Sequence, residues 1–183
     1  MNDVETFSEL YGRFVANARS QIEGLGAEAL AWQPDPGGNS IGVTVWHFAR
    51  WMDILGARIM QDLPAEHEQW HTQGWADRTG YDPRGIGSRG FGAVTGYTLE
   101  EVAAIPALSA EELLTYLDQG FAVVRAQLSR LSSQALQEEK PGQGVEGTLF
   151  DWLVRLTAGF FGHLGEVAAL KAMRERTLVS QHT

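Results

Sequence analysis

Cysteine is absent from the 183 residues. That excludes disulfides, thiolate-ligated zinc and a cysteine nucleophile, and it suits a reducing, cytoplasmic setting. Positive charge is scarce: 14 Lys and Arg stand against 23 Asp and Glu, for a net charge of −9. The basic residues form no stripe, and a negative surface repels phosphate. Neither nucleic acid nor an anionic membrane is therefore an expected partner. No apolar run reaches the ~18 residues that a spanning helix needs. The opening MNDVETFSEL is too acidic and polar for a secretion signal. Strand-type alternation and internal repeats are missing as well. What is present is an apolar fraction of 44% and a charged fraction of 20%, ordinary values for one globular domain over 1–183.

Four long stretches place apolar residues three and four apart, and they predict helices near 3–25, 40–63, 109–131 and 147–177. In the first, Phe7, Leu10, Phe14, Ala18, Ile22 and Leu25 make one stripe. Ser40 or Asn39 can cap the second, which is apolar around much of its circumference and ends at Pro64. Ser109 with Glu112 has capping-box spacing at the start of the third, and Thr98 with Glu101 repeats it before a short helix that ends at Pro106. The expected fold is an all-α four-helix bundle.

Residues 64–97 differ in character. They are rich in Gly and aromatics and lack a helical period, which reads as a long insertion between helices two and three. Connections of that length inside a domain tend to be functional or disordered. Trp70, Trp75, Tyr81 and Phe91 favour packing, because large aromatics gain by burial. GIGSRGFG within it is Gly-rich but has no Lys-Ser/Thr, so it is not a phosphate loop. No nucleophile-elbow motif occurs.

The histidines are His47, His67, His71, His163 and the tail residue His182. His47 and His163 sit on apolar helices two and four, where facing helices can converge two side chains in a core. Each taken alone is also compatible with a core histidine satisfied by a hydrogen bond. His67 and His71 are four apart and on a helix would share a face, as a metal pair or as a solvated pair. Glu166, three residues after His163, can be a ligand, a general base or a carboxylate that orients the imidazole. Helix four carries His-x-x-Glu, the reverse of the Glu-x-x-His of di-iron bundles, and the one Glu-x-x-His is Glu68–His71.

NSIGVTVWHFARWMDILGARI resembles the second-helix signature of the DinB-like superfamily, and FFGHLGEVAALKAM resembles its fourth-helix signature, His-x-x-x-His-x-Gly-Gln or Glu. ALAWQPDPGGNSIG is similar to the loop that leads into helix two. The order of these elements covers nearly the whole chain. The resemblance implies a four-helix bundle, a homodimer, and a divalent metal such as zinc or nickel held by three histidines, one on helix two and two on helix four. It also implies relatives that are thiol-dependent transferases and isomerases, using a low-molecular-weight thiol. Carried over residue by residue, His47 is the helix-two ligand and His163 the second helix-four ligand. The first helix-four position falls on Gly159, which has no side chain to offer.

Two imidazoles fall short of the three protein ligands usual in a catalytic zinc site. Glu166, His67 and His71 are candidates to complete it, while Asp53, six residues from His47, is too far along its helix. Gly159 can equally leave room for a ligand group. Two functions follow. One is a metal-dependent enzyme performing thiol transfer, isomerisation or hydrolysis on a small molecule. The other is a non-catalytic bundle with a degenerate metal site, in which His47, His163 and Glu166 form a satisfied polar cluster.

Overall fold

Helix α1 (Asp3–Ile22) begins where the Asn2 side chain accepts from Glu5 N and Glu5 reaches back to Asn2 N, a reciprocal cap that satisfies two orphan amides. Its buried face runs Phe7, Tyr11, Phe14, Ala18 and Ile22. The computed structural model describes residues 2–140 and 147–181. Among these the regular structure is helical, apart from one isolated bridge between Glu139 and Thr148.

A short helix, α2 (Ala27–Ala31), leads to α3 (Ile41–Ile54), whose first turn is capped by Ser40 accepting from Val43 N at 3.2 Å. The helix then widens into a π turn over Leu55–Ile59 and stops there, short of the expected residue 63. The reason lies in packing. Gly56 presses against α7 (Ala110–Leu128), where a Cβ would lie 3.0 Å from Val123 Cγ1. Beyond the turn, Asp62 takes a left-handed conformation, and Pro64 disfavours helical geometry at Leu63.

The aromatic segment after Pro64 is not a structureless loop. It makes a 3-10 turn (Ala65–His67), two short helices, α4 (Gln69–Thr72) and α5 (Trp75–Thr79), and a second 3-10 turn (Ser88–Gly90). Trp70 and Trp75 are fully buried and stack with centroids 6.0 Å apart, and Trp70 meets Trp46 of α3 and Tyr116 of α7 edge-on at 5.8 and 5.1 Å. Their indoles are satisfied, by Tyr81 O at 2.9 Å and by Gln119 Oε1 at 2.7 Å. Burial of this size is what holds a Gly-rich segment in one conformation.

A strap containing α6 (Leu99–Ala103) follows, then α7, both opened by the capping boxes that their Thr98–Glu101 and Ser109–Glu112 spacings predict. Finally α8 (Leu149–Gln181) runs 33 residues. Helices α1 and α3 each pack against both α7 and α8. The core between them includes Phe14 stacked on Phe160 at 4.7 Å and edge-on to Phe48 at 5.2 Å.

Candidate functional site

His47 projects from the second turn of α3 and His163 from the middle of α8. Their rings are nearly perpendicular, with Nε2 facing Nε2 at 3.0 Å. The two Nδ1 atoms point away from each other onto acceptors. His47 Nδ1 donates to the Ala93 carbonyl at 2.5 Å, and His163 Nδ1 to Glu166 Oε2 at 2.9 Å. The second oxygen of Glu166 accepts from Thr44 Oγ1 at 3.3 Å, which returns the chain of contacts to α3. Thr44–His47 and His163–Glu166 are each three apart, so each pair shares a helix face.

Proton bookkeeping constrains this cluster. A backbone carbonyl only accepts, so His47 carries its proton on Nδ1 and offers the Nε2 lone pair inward. A carboxylate also only accepts, so His163 Nδ1 carries a proton as well. Burial, followed by the neighbouring His163, pushes the His47 pKa down to about 4, which keeps it neutral near pH 7. Glu166 is held below the usual carboxylate range, chiefly by its hydrogen bond with His163. With a proton on each Nδ1, the two Nε2 lone pairs face each other across 3.0 Å.

The pattern fits a divalent metal on the chemistry of its donors. Metal-bound histidines characteristically donate their other N–H to a carboxylate or backbone carbonyl, which fixes tautomer and ring orientation. Both do so here. Among the described residues, however, no three His, Cys, Asp or Glu side chains cluster as a metal-ligating group. Gly159 is exposed, and a Cβ there would meet nothing within 4 Å.

The other sequence candidates lie elsewhere. His67 ends the 3-10 turn and His71 sits in α4, with Glu68 extended between them, so the four-residue spacing does not bring them onto one helix face. His71 pairs with Asp82 at 3.9 Å, and neither histidine bonds to His47, His163 or Glu166. His182 falls outside the described residues. Asp53 belongs to a second, fully buried cluster, where it accepts from Gln69 N, Trp70 N and Tyr116 Oη at 2.7, 2.9 and 2.8 Å.

The same cluster holds Arg50, 0% exposed, paired with Glu68 Oε2 at 2.7 Å and bonded to Tyr116 Oη at 2.9 Å. Arg50 also donates to Gly92 O at 3.1 Å and Phe91 O at 3.3 Å, the two carbonyls preceding Ala93. The strand of backbone that orients His47 is thus clamped by the residue one turn along α3. Gly92 is required there. Its φ is +65°, and a Cβ would lie 2.2 Å from Pro83 O. Sequence reasoning missed Arg50, although a lone arginine in an apolar helix is itself a signal of a buried cation with partners.

A cavity of about 840 Å³ opens beside the histidines. Residues of α2, the start of α3, the strap around α6 and the start of α7 enclose it, with His47 and His163 among its lining.

The sequence profile of the DinB superfamily matches residues 13–167, and the chain belongs to that superfamily. A crystal structure of a conserved protein from Enterococcus faecalis aligns with a TM-score of 0.77 at 18% identity, covering 94% of this chain and 97% of that one. At that identity the likeness concerns the fold alone. No curated protein matches the chain.

Proposed function

We propose that this protein is a metal-dependent member of the DinB superfamily, acting on a small molecule at the cavity beside His47 and His163. Its four long helices would form the family's bundle, with 64–97 as the insertion that completes the site. One observation carries this reading: two Nε2 atoms converge while both Nδ1 atoms are anchored outward. That arrangement aims two lone pairs at one point. His47 and His163 would hold zinc or nickel, and Glu166 would orient His163 without binding the ion. A cation held there would lower the pKa of a bound water or thiol and so supply a nucleophile at neutral pH. The chain's own contribution is to fix both imidazole tautomers, to wall the site with apolar side chains and to leave the side at Gly159 open. Thiol transfer, isomerisation and hydrolysis are the reaction classes consistent with such a centre. A low-molecular-weight thiol is the co-substrate that family membership suggests.

A second reading is a non-catalytic bundle that binds a small ligand with no metal. Its support is that the described residues offer no three-ligand group, and that the contact chain closes by itself if His163 is cationic.

Metal analysis by ICP mass spectrometry of untagged protein, beside His47→Ala and His163→Ala, decides between the two. Near-stoichiometric zinc or nickel that both variants lose supports the first reading. Metal-free protein even after incubation with excess ions removes it in favour of the second.

We extend the proposal to a cytoplasmic homodimer. Support comes from the outward side of α8, where Gly162 and Gly165 have open space around them and Val154 is exposed. Light scattering on a sizing column checks the dimer. No helix among the described residues is long and apolar enough to cross a membrane, and the charge of −9 supports a partner other than nucleic acid.

A further inference from the structure

Catalytic zinc sites normally take three protein ligands, and His47 and His163 supply two. Among the described residues no His, Cys, Asp or Glu makes a group of three with them. Glu166 is already committed, with one oxygen on His163 Nδ1 at 2.9 Å and the other on Thr44 Oγ1 at 3.3 Å. Yet both imidazoles are held in place from behind, His47 by the Ala93 carbonyl and His163 by Glu166. The pair is built for a cation but is one donor short.

The open side of the pair has a place in the fold. Gly159 precedes His163 by four residues, so the two share a face of α8. Gly159 is exposed, a Cβ there would meet nothing within 4 Å, and the His163 side chain is itself 33% exposed. Both histidines also line the cavity of about 840 Å³, a size that suits a small ligand. A donor atom from outside the chain therefore meets no side chain at position 159 on its way to the pair. Charge says which kind of donor suits. Two neutral imidazoles leave the charge of a divalent ion unchanged, and Glu166 behind His163 offsets only part of it. No Lys or Arg is among the described residues lining the cavity, so the ion would be the positive group that an anionic donor meets there. Leu30, Val43, Val102, Ile105 and Leu113 offer the rest of the ligand an apolar wall.

We infer that the metal site is completed by its own small-molecule ligand: one anionic oxygen or sulfur atom on an uncharged, largely apolar body supplies the third donor that position 159 lacks. Metal and small molecule then bind cooperatively, and by linkage each tightens the other by the same factor. The protein alone holds zinc more weakly than a three-histidine site does. The inference rests on the metal reading proposed above.

The test is zinc affinity by competition against a chromogenic chelator, alone and with hexanoate, 1-hexanethiol or 1-hexanol, which share a chain and differ in the donor. The same additions to chelator without protein subtract their own affinity for zinc. In the wild type, hexanoate or hexanethiol is expected to tighten zinc binding at least about tenfold, and hexanol to leave it unchanged. The stronger of the two names the donor as oxygen or sulfur. Gly159→His brings the third ligand from the chain, at a position with room for it. It should bind zinc tightly by itself and lose most of the donor effect, whereas Gly159→Ala should keep that effect. Zinc that binds the wild type equally well in all four conditions overturns the inference and leaves the metal reading standing. So does tightening by hexanol that equals tightening by hexanoate and hexanethiol, or a donor effect that Gly159→His retains in full. Absence of zinc binding in every condition defeats the metal reading, and this inference with it.

Discussion

His47 and Arg50, one turn apart on α3, bind three consecutive backbone carbonyls: Ala93 O accepts from His47, and Gly92 O and Phe91 O accept from Arg50. The clamp makes the geometry of a polar site depend on an ion cluster on its far side. Arg50→Met leaves buried Asp53 without its ion partner and buried Glu68 with Arg58 at 3.7 Å, and removing one partner of such a cluster costs about 3–5 kcal/mol. Urea denaturation should show a loss of that order. Arg50→Lys keeps the charge but loses the planar fork, so it should fall between wild type and Arg50→Met.

In the proposed metal site Glu166 acts through His163, whose Nδ1 lies 2.9 Å from its Oε2. Glu166→Ala removes the acceptor that holds the His163 tautomer, and metal affinity should fall by roughly 10- to 100-fold. Glu166→Gln keeps an acceptor oxygen and should lose less. Competition against a chromogenic chelator measures both. Equal affinity in all three proteins would remove the role assigned to Glu166.

Gly159 is the position where the resemblance to the family lacks a ligand, and space there is open. Gly159→His would place an imidazole one turn before His163 on α8. It should raise zinc affinity at least about tenfold if a third donor completes a tetrahedral site. Gly159→Ala offers no donor, so its affinity should stay unchanged, while thermal stability rises by about 0.5–1 kcal/mol because Ala favours a helix interior over Gly.

His47 couples stability to pH. Its pKa falls from 6.5 to about 4 on folding, chiefly through burial. Between those values the unfolded chain binds more protons than the folded one, so stability rises with pH across this window. The contribution is complete above pH 6.5 and is lost as pH falls toward 4. Denaturation midpoints of EDTA-treated protein between pH 4 and 7 should show this slope, and His47→Gln should flatten it. An unchanged slope in the variant would assign the dependence to other groups.

The comparison of chain and structure turns on distance along the sequence. Helix stripes, the Ser109–Glu112 and Thr98–Glu101 caps and the His163–Glu166 contact all join residues three or four apart. Local periodicity reports such pairs directly, because the helix repeat sets which of them meet. The same logic misleads at His67 and His71, whose helical spacing is broken by an extended Glu68. The residue types at 47 and 163 marked both as candidates, and likeness to a known superfamily paired them. Their 3.0 Å approach, across 116 positions of chain, is a product of how α3 packs on α8.

Three features had no signature of their own in the chain. The acceptor for His47 is a backbone carbonyl, which every residue has, and only the path of the Gly-rich segment selects Ala93. The burial of Arg50 among two carboxylates, a tyrosine and two carbonyls needs partners drawn from α3, α7 and the segment after Pro64. The cavity belongs to no element, since its walls come from α2, α3, the strap around α6, α7 and α8, which meet only in the folded protein. Amino-acid order decided the helices, their caps and the kinds of side chain available for chemistry. Tertiary packing decided which lone pairs converge and which charges lose water, because desolvation and hydrogen-bond geometry exist only between groups already brought together.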